Sequence, residues 1–325
     1  MKKYKWGILG PGSIARRFAE GLKHAPGAEL YAVGSRDKGR AQKFASEFGF
    51  KKSCGSYEEL VSDPDVDVVY VATPHPQHEE HTVLSLNHKK HTLCEKPFAV
   101  NAAQAGRMVK CAEDNGVFLM EGMWTRFFPT VVKARELIKG GAIGNVRHVS
   151  ADFGFRTSVN AEGRLFAPAA AGGSLLDVGV YNVSFCSMVY GKQPVNIRSQ
   201  LDIGETGVDE RASALFGYDS GETAFVLSAI RLNTAHDAVI YGEDGYIKLP
   251  AYWHGDTVIL SNKDGPREFK FPFESTGFQF EASAVMECLN KGLLECPAMP
   301  HAESLAIMGT LDEIRAAHGL RYPFE

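Results

Sequence analysis

The segment Tyr4-Lys-Trp-Gly-Ile-Leu-Gly10-Pro-Gly12-Ser13-Ile14-Ala15 decides how the chain is to be read. A short apolar run ends at Gly10, and a helical pattern starts at Ser13, with Ile14, Ala15, Phe18, Ala19 and Leu22 at three- and four-residue spacings. This predicts strand, tight turn and helix. Gly10 permits the turn, Gly12 lets backbone approach a pyrophosphate, and Ala15 is small enough for close strand–helix packing. The helix start at Ser13 and Ile14 offers free N–H groups and a partial positive charge to an anion. A Gly-x-Gly-x-x-Ala match alone is weak, but directly after a strand it points to dinucleotide binding.

Working outward, Ala28–Ser35 reads as a second strand and Lys38–Phe48 as a second helix. An acid at the end of the second strand suits a ribose 2′-hydroxyl, whereas arginine suits a 2′-phosphate. The strand here ends at Ser35-Arg36, with Arg40 following. Asp37 directly precedes a helical run and is explained as an N-cap. The expected cofactor is therefore NADP(H), with NAD(H) as the lesser alternative. Val66–Thr73 reads as a parallel strand buried on both faces. The turn beyond it, Thr73-Pro74-His75-Pro76-Gln77-His78, is expected to border the cofactor, because ligands lie past the carboxyl ends of such strands. His75, His78 and His81 have no further ligand cluster beside them, and no metal is expected. Lys90–Glu95 forms another strand ending in Glu95-Lys96-Pro97, where the Lys96 ammonium would point into the nicotinamide cleft. Asn101 caps a helix to about Asn115, and Val117–Met123 supplies a further strand.

The β–α alternation stops at Trp124. Phe128–Lys139 reads as a helix, Val146–Phe155 as a long strand, and Ser174–Tyr190 as an apolar helix. Strands then follow at 195–201, 210–218, 223–231, 235–241, 246–249, 257–260 and 267–271. Asp219-Ser-Gly221 and Glu243-Asp-Gly245 punctuate them as mostly antiparallel hairpins. Helices near 278–291 and 301–318 close the chain. The expected architecture is α/β: an N-terminal Rossmann doubly wound parallel sheet over residues 1–123, then a C-terminal α+β domain over 124–325 with a large, mostly antiparallel sheet. Strand 223–230 carries Phe225 and Leu227 on one face and Val226 and Ile230 on the other. Both faces should therefore be covered, one by helices or a second subunit, and a homodimer through this sheet is expected.

Composition narrows the function classes. The 325 residues exceed one ordinary core. Hydrophobic and charged contents of 44% and 23% are those of a globular protein. A net charge of −4 disfavours nucleic acid or an anionic membrane as main partner. No stretch approaches a membrane span or a signal peptide's apolar region. Six cysteines without a Cys-x-x-Cys motif read as reduced thiols of a cytoplasmic protein. Asn182-Val-Ser184 fits a glycosylation acceptor by chance alone.

The chemistry-bearing segment is Gly172-Gly-Ser-Leu-Leu-Asp177-Val-Gly-Val-Tyr181. Asp177 and Tyr181, four apart, would share a helix face. A tyrosine hydroxyl can pass a proton to or from a substrate oxygen while hydride moves to or from nicotinamide, and a nearby Lys96 ammonium would favour the phenolate. Asp177 could orient the tyrosine, the lysine or a substrate hydroxyl. Trp124, Phe153, Phe155 and Phe278 could supply apolar faces for a substrate ring.

Gly10-x-Gly12, Glu95-Lys96-Pro97 and the Gly-Gly-x-x-x-Asp-x-Gly-x-Tyr segment resemble the glucose-fructose oxidoreductase, inositol dehydrogenase and rhizopine-catabolism oxidoreductase family. Tyr181 stands where many members carry histidine, and His75 where many carry asparagine. The resemblance implies Lys96 and Tyr181 as catalytic pair, Ser35, Arg36 and Arg40 at the 2′-phosphate, and Trp124 beside nicotinamide and substrate. It also implies subunits paired through their sheets, and a small-molecule substrate that is a sugar oxidised at its anomeric carbon or a cyclic diol. A non-catalytic dinucleotide sensor, or a reductase of a ketose or anhydro-sugar, are the alternatives.

Overall fold

The computed structural model describes residues 2–325. The chain divides into two compact units, Met1–Trp124 with Glu274–Leu305, and Thr125–Phe273 with Ala306–Glu325. The division is thus not a single cut at residue 123, because one later segment returns to the first unit.

In the first unit, strands and helices alternate: β1 (Tyr4–Leu9), α1 (Ser13–Leu22), β2 (Ala28–Gly34), α2 (Lys38–Phe48), β3 (Lys52–Cys54), α3 (Tyr57–Val61), β4 (Val68–Val71), α4 (His78–Asn87), β5 (His91–Glu95), α5 (Ala102–Asn115) and β6 (Leu119–Gly122). The six strands are parallel in the order β3-β2-β1-β4-β5-β6. The order reverses between β1 and β4, so the loops after these two strands flank the crevice at the topological switch point. Local chemistry sets the helix starts. Asp37 accepts from the Arg40 amide at 3.1 Å, and Asn101 from the Gln104 amide at 2.9 Å. Phe18 of α1 stacks on Tyr70 of β4 with centroids 3.7 Å apart, and Trp6 of β1 lies 5.5 Å from Phe18.

The second unit holds α6 (Pro129–Lys139), β7 (Val146–Gly154), α7 (Val180–Tyr190), β8 (Asn196–Ile203), β9 (Asp209–Gly217), β10 (Thr223–Ala229), β11 (Ala238–Gly242), β12 (Gly245–Leu249), β13 (Thr257–Asn262) and β14 (Gly265–Lys270). Its sheet runs β14-β13-β12-β11-β7-β10-β9-β8 and is antiparallel except for the parallel β7–β10 pair. Ala212, Ala214, Phe216, Ala224, Val226 and Ile240 line its buried face. Leu215, Phe225, Tyr241 and Tyr246 on the other face are 38–46% exposed. Phe225 pairs with Leu215, and Tyr241 with Tyr246, so the apolar residues run across neighbouring strands.

Helix α8 (Phe278–Asn290) belongs to the first unit and packs on α1. Thr276 donates to the Arg17 carbonyl at 2.8 Å, and a Cβ on Gly21 would sit 2.7 Å from that of Phe278. Only glycine admits so close an approach. Helix α9 (His301–Ala317) ends the regular structure. Among the described residues no helix is long and apolar enough to cross a membrane.

Candidate functional site

Within the first unit, the turn after β1 adopts the anticipated geometry. Gly10 has φ +90°, and a Cβ there would meet Thr73 Cγ2 at 2.9 Å and the Ala72 carbonyl at 3.2 Å. Gly12 is the N-cap of α1 without a side-chain cap, and a Cβ there would meet nothing nearer than the Ala72 carbonyl at 4.0 Å. The space over Gly12 is therefore open, and exposed Ser13 and half-buried Ile14 stand at the helix start. Ala15 is fully buried. An uncapped helix start under open space fits a bound pyrophosphate. At the end of β2, Ser35 is buried and its hydroxyl accepts from the Asp37 amide at 3.2 Å. Arg36 and Arg40 are exposed beside Tyr57, whose phenol is pushed up by burial and drawn back by these two cations.

The β4 turn is held by histidines. His81 Nδ1 lies 3.0 Å from Thr73 Oγ1. His78 is wholly buried, with Nδ1 2.8 Å from the Pro97 carbonyl and Nε2 2.8 Å from the Thr73 carbonyl. Burial pushes its ring down to about 4 despite those carbonyls, so at neutral pH the neutral ring has one N–H for two acceptors. His78 thereby ties the turn of Thr73, exposed Pro74 and half-buried His75 to the turn of Glu95, Lys96 and Pro97. Its place is structural support rather than the cofactor contact expected of it. Buried Glu95 accepts a short bond from Tyr70 and receives the Lys96 amide at 3.1 Å. Lys96 is half-buried and precedes a cis proline.

Trp124 and Phe278 stack at 4.4 Å and are 3% and 1% exposed. Arg17 sits over Trp124 with its guanidinium 5.4 Å from the ring centroid, a partner that the sequence did not indicate. Phe278 thus belongs to the aromatic core of the first unit with Phe18, rather than offering a free face to substrate.

Within the second unit, residues 175–179 form a π-turn leading into α7, not the regular helix expected over 174–190. A π-turn bonds i to i+5 and winds slightly wider than an α-helix, so Asp177 and Tyr181, four apart, still fall near one side of the segment. Asp177 pairs with Arg164 at 2.8 Å. Tyr181 lies 5.4 Å from Phe153, which stacks at 5.1 Å on Trp253. Trp253 Nε1–H donates to His236 Nδ1 at 3.2 Å, and His236 Nε2 lies 2.6 Å from the Gly154 carbonyl. This arrangement assigns the Nε2–H tautomer, since Nδ1 is the acceptor. Tyr181, Phe153, Trp253 and His236 form one aromatic corner. Phe155 does not join it: it packs on the core of Phe166, Val208 and Ile230. Asn182 is buried and bonds Leu227 and Tyr252, which bars it from carrying a glycan.

Arg164, Trp253 and His236 were missed because they sit in loops with no periodicity or motif. Only the aromatic run Tyr252-Trp253-His254 offered a signal.

Residues 4–123 match the model of an oxidoreductase family with an NAD-binding Rossmann fold, and residues 131–248 match the GFO/IDH/MocA C-terminal domain. The chain belongs to the GFO/IDH/MocA oxidoreductase family. It is 40% identical over 335 residues to a trans-1,2-dihydrobenzene-1,2-diol dehydrogenase of Mus musculus, covering 98% of each chain. Among solved structures it resembles an aldose-aldose oxidoreductase from Caulobacter crescentus (TM-score 0.88, 26% identity, 98% and 99% coverage). A 3-ketoreductase from Actinomadura kijaniata in complex with NADP and TDP-benzene is also similar (TM-score 0.85, 25% identity, 97% and 98% coverage). This member of the family is therefore a nicotinamide-dependent oxidoreductase.

Proposed function

We propose that the protein is an NADP-dependent dehydrogenase that moves hydride between nicotinamide and a CH–OH carbon of a small polyhydroxylated molecule, either a trans-dihydrodiol or an aldose such as D-xylose at its anomeric carbon. The observation that carries this is 40% identity to a dihydrodiol dehydrogenase over 98% of each chain, in a sequence that carries Lys96 and Tyr181. The first unit would bind the nucleotide, and the second the substrate.

When bound, the cofactor supplies the hydride chemistry. The chain would hold its pyrophosphate at Gly10, Gly12 and the start of α1, and its 2′-phosphate at Ser35, Arg36 and Arg40, since two guanidiniums suit a phosphate dianion. The Tyr181 hydroxyl would take a proton from the substrate hydroxyl in oxidation and return it in reduction. The Lys96 ammonium would favour the phenolate. Phe153 and Trp253 would give apolar faces to a ring, and Arg164 would fix Asp177 for a substrate hydroxyl. NADP reduction measured with a panel of trans-dihydrodiols and aldoses tests this. Turnover with at least one member supports it, and saturable cofactor binding without turnover anywhere would favour a dinucleotide sensor instead.

The exposed apolar face of the eight-stranded sheet supports a homodimer. Two cross-strand pairs of large exposed side chains, Phe225–Leu215 and Tyr241–Tyr246, flank β7 on this face and give apolar surface of the kind that marks an interface. Phe225→Glu should give a monomer by sedimentation velocity; an unchanged dimer would place the interface elsewhere.

A further inference from the structure

The π-turn that carries Asp177 begins at a buried acid which the proposed chemistry does not use. Asp209, the first residue of β9, is 0% exposed. Its Oδ2 accepts from the Ser174 hydroxyl at 2.7 Å and from the Leu175 amide at 2.7 Å. Its Oδ1 has no hydrogen-bond partner and packs against Gly173, where a Cβ would sit 2.1 Å away. Gly173 itself has φ +117°, a backbone state reserved for glycine. Ser174 Oγ lies 3.1 Å from Ser228 Oγ of β10, tying the turn to the middle of the sheet. Tyr322 donates to the Gly172 carbonyl at 2.9 Å and secures the preceding residue.

Burial pushes the Asp209 carboxyl up to about 6, partly offset by the Ser174 hydroxyl and the Leu175 amide. A carboxylate so placed opposes stability, since a buried charge is costly unless fully hydrogen-bonded. Its two bonds converge on the first two residues of the segment 174–181. The π-turn needs such an anchor, because its head has no capping side chain of its own and its geometry is intrinsically less favourable than an α-helix.

We propose that Asp209 is the positioning residue for Asp177 and Tyr181: it clamps Ser174 and Leu175 so that the π-turn delivers both side chains at a fixed height over the sheet. The inference rests on the catalytic reading of Tyr181, and its test separates the two. Asp209→Ala should lower kcat by about 10²-fold, the scale for a misplacement of about 1 Å, and leave the cofactor Kd unchanged. Asp209→Asn keeps an acceptor oxygen and should return kcat to within about tenfold of the wild type. Amide hydrogen exchange in residues 175–181 should quicken in Asp209→Ala and be largely restored in Asp209→Asn. If Asp209→Ala does not fold, Ser174→Ala removes one of the two bonds and should cost about fivefold in kcat with faster exchange in the same residues.

Exchange unchanged in the variant that folds would overturn the proposal. So would loss of cofactor affinity equal to the loss of kcat, or an Asp209→Asn as damaged as Asp209→Ala. If Tyr181→Phe retains full turnover, the catalytic reading fails while the exchange data still report the clamp.

Discussion

The two glycines of the β1–α1 turn should fail in different ways when replaced by alanine. At Gly10 the backbone has φ +90°, and left-handed geometry costs an L-residue about 1–2 kcal/mol. The added Cβ would also overlap Thr73 Cγ2 at 2.9 Å and press on the Ala72 carbonyl at 3.2 Å. Thr73 cannot turn away freely, because its hydroxyl lies 3.0 Å from His81 Nδ1 and its carbonyl packs 2.8 Å from His78 Nε2. Losing the hydroxyl contact costs about 1 kcal/mol more. Gly10→Ala should therefore destabilise the protein by about 2–3 kcal/mol. At Gly12 the backbone is extended and the nearest atom to a Cβ is 4.0 Å away, so the fold should lose no more than about 1 kcal/mol. The methyl would instead fill the space assigned to pyrophosphate, and NADP affinity should fall at least tenfold, about 1.4 kcal/mol. Urea unfolding followed by circular dichroism, with fluorescence titration of NADP, separates the two effects. A loss of less than about 1 kcal/mol in Gly10→Ala, or unchanged NADP binding in Gly12→Ala, would refute the steric reasoning.

Two further outcomes follow from the first unit. Arg36→Ala should weaken NADP by at least about tenfold and NAD by far less, since only the former carries the 2′-phosphate; equal losses by titration would undo that assignment. His78 is held near 4 by burial, below its ordinary 6.5, so the native ring stays neutral while the unfolded chain takes up a proton. Its contribution is complete above pH 6.5 and is lost as pH falls toward 4, amounting to about 3 kcal/mol by linkage. Urea denaturation at stepped pH should show this slope in the wild type and a flatter one in His78→Gln. Equal slopes would mean that His78 is protonated in the folded state.

The first unit was legible because its signals are local. The apolar run into Gly10, the caps Asp37 and Asn101 and the β-branched β4 each act through neighbours within a few residues. Strand β3 escaped notice because Lys52-Ser-Cys54 is too short for any period to show, and it forms by pairing with β2. The return of α8 to the first unit depends on the fit of Phe278 against Gly21, Phe18 and Trp124, which no periodicity encodes. For the same reason Phe278, apolar and near a helix start, read as a substrate contact and proved to be core. The π-turn was hidden too: the run 175–187 is buried on all sides and shows no amphipathic period, so a one-residue shift in hydrogen bonding leaves no mark in it. Its determinant is Asp209, thirty-odd positions away in another element. Trp253, His236 and Tyr181 all meet Phe153 on β7, and no local pattern in the sequence links them.

In the proposed reaction the Tyr181 hydroxyl carries the proton that accompanies hydride transfer. Single-turnover NADP reduction, with cofactor and substrate saturating, tests it in Tyr181→Phe, which removes one oxygen and keeps the ring against Phe153. The expected rate is at least about 10²-fold below wild type with NADP affinity unchanged. A rate equal to wild type across the pH range would contradict it.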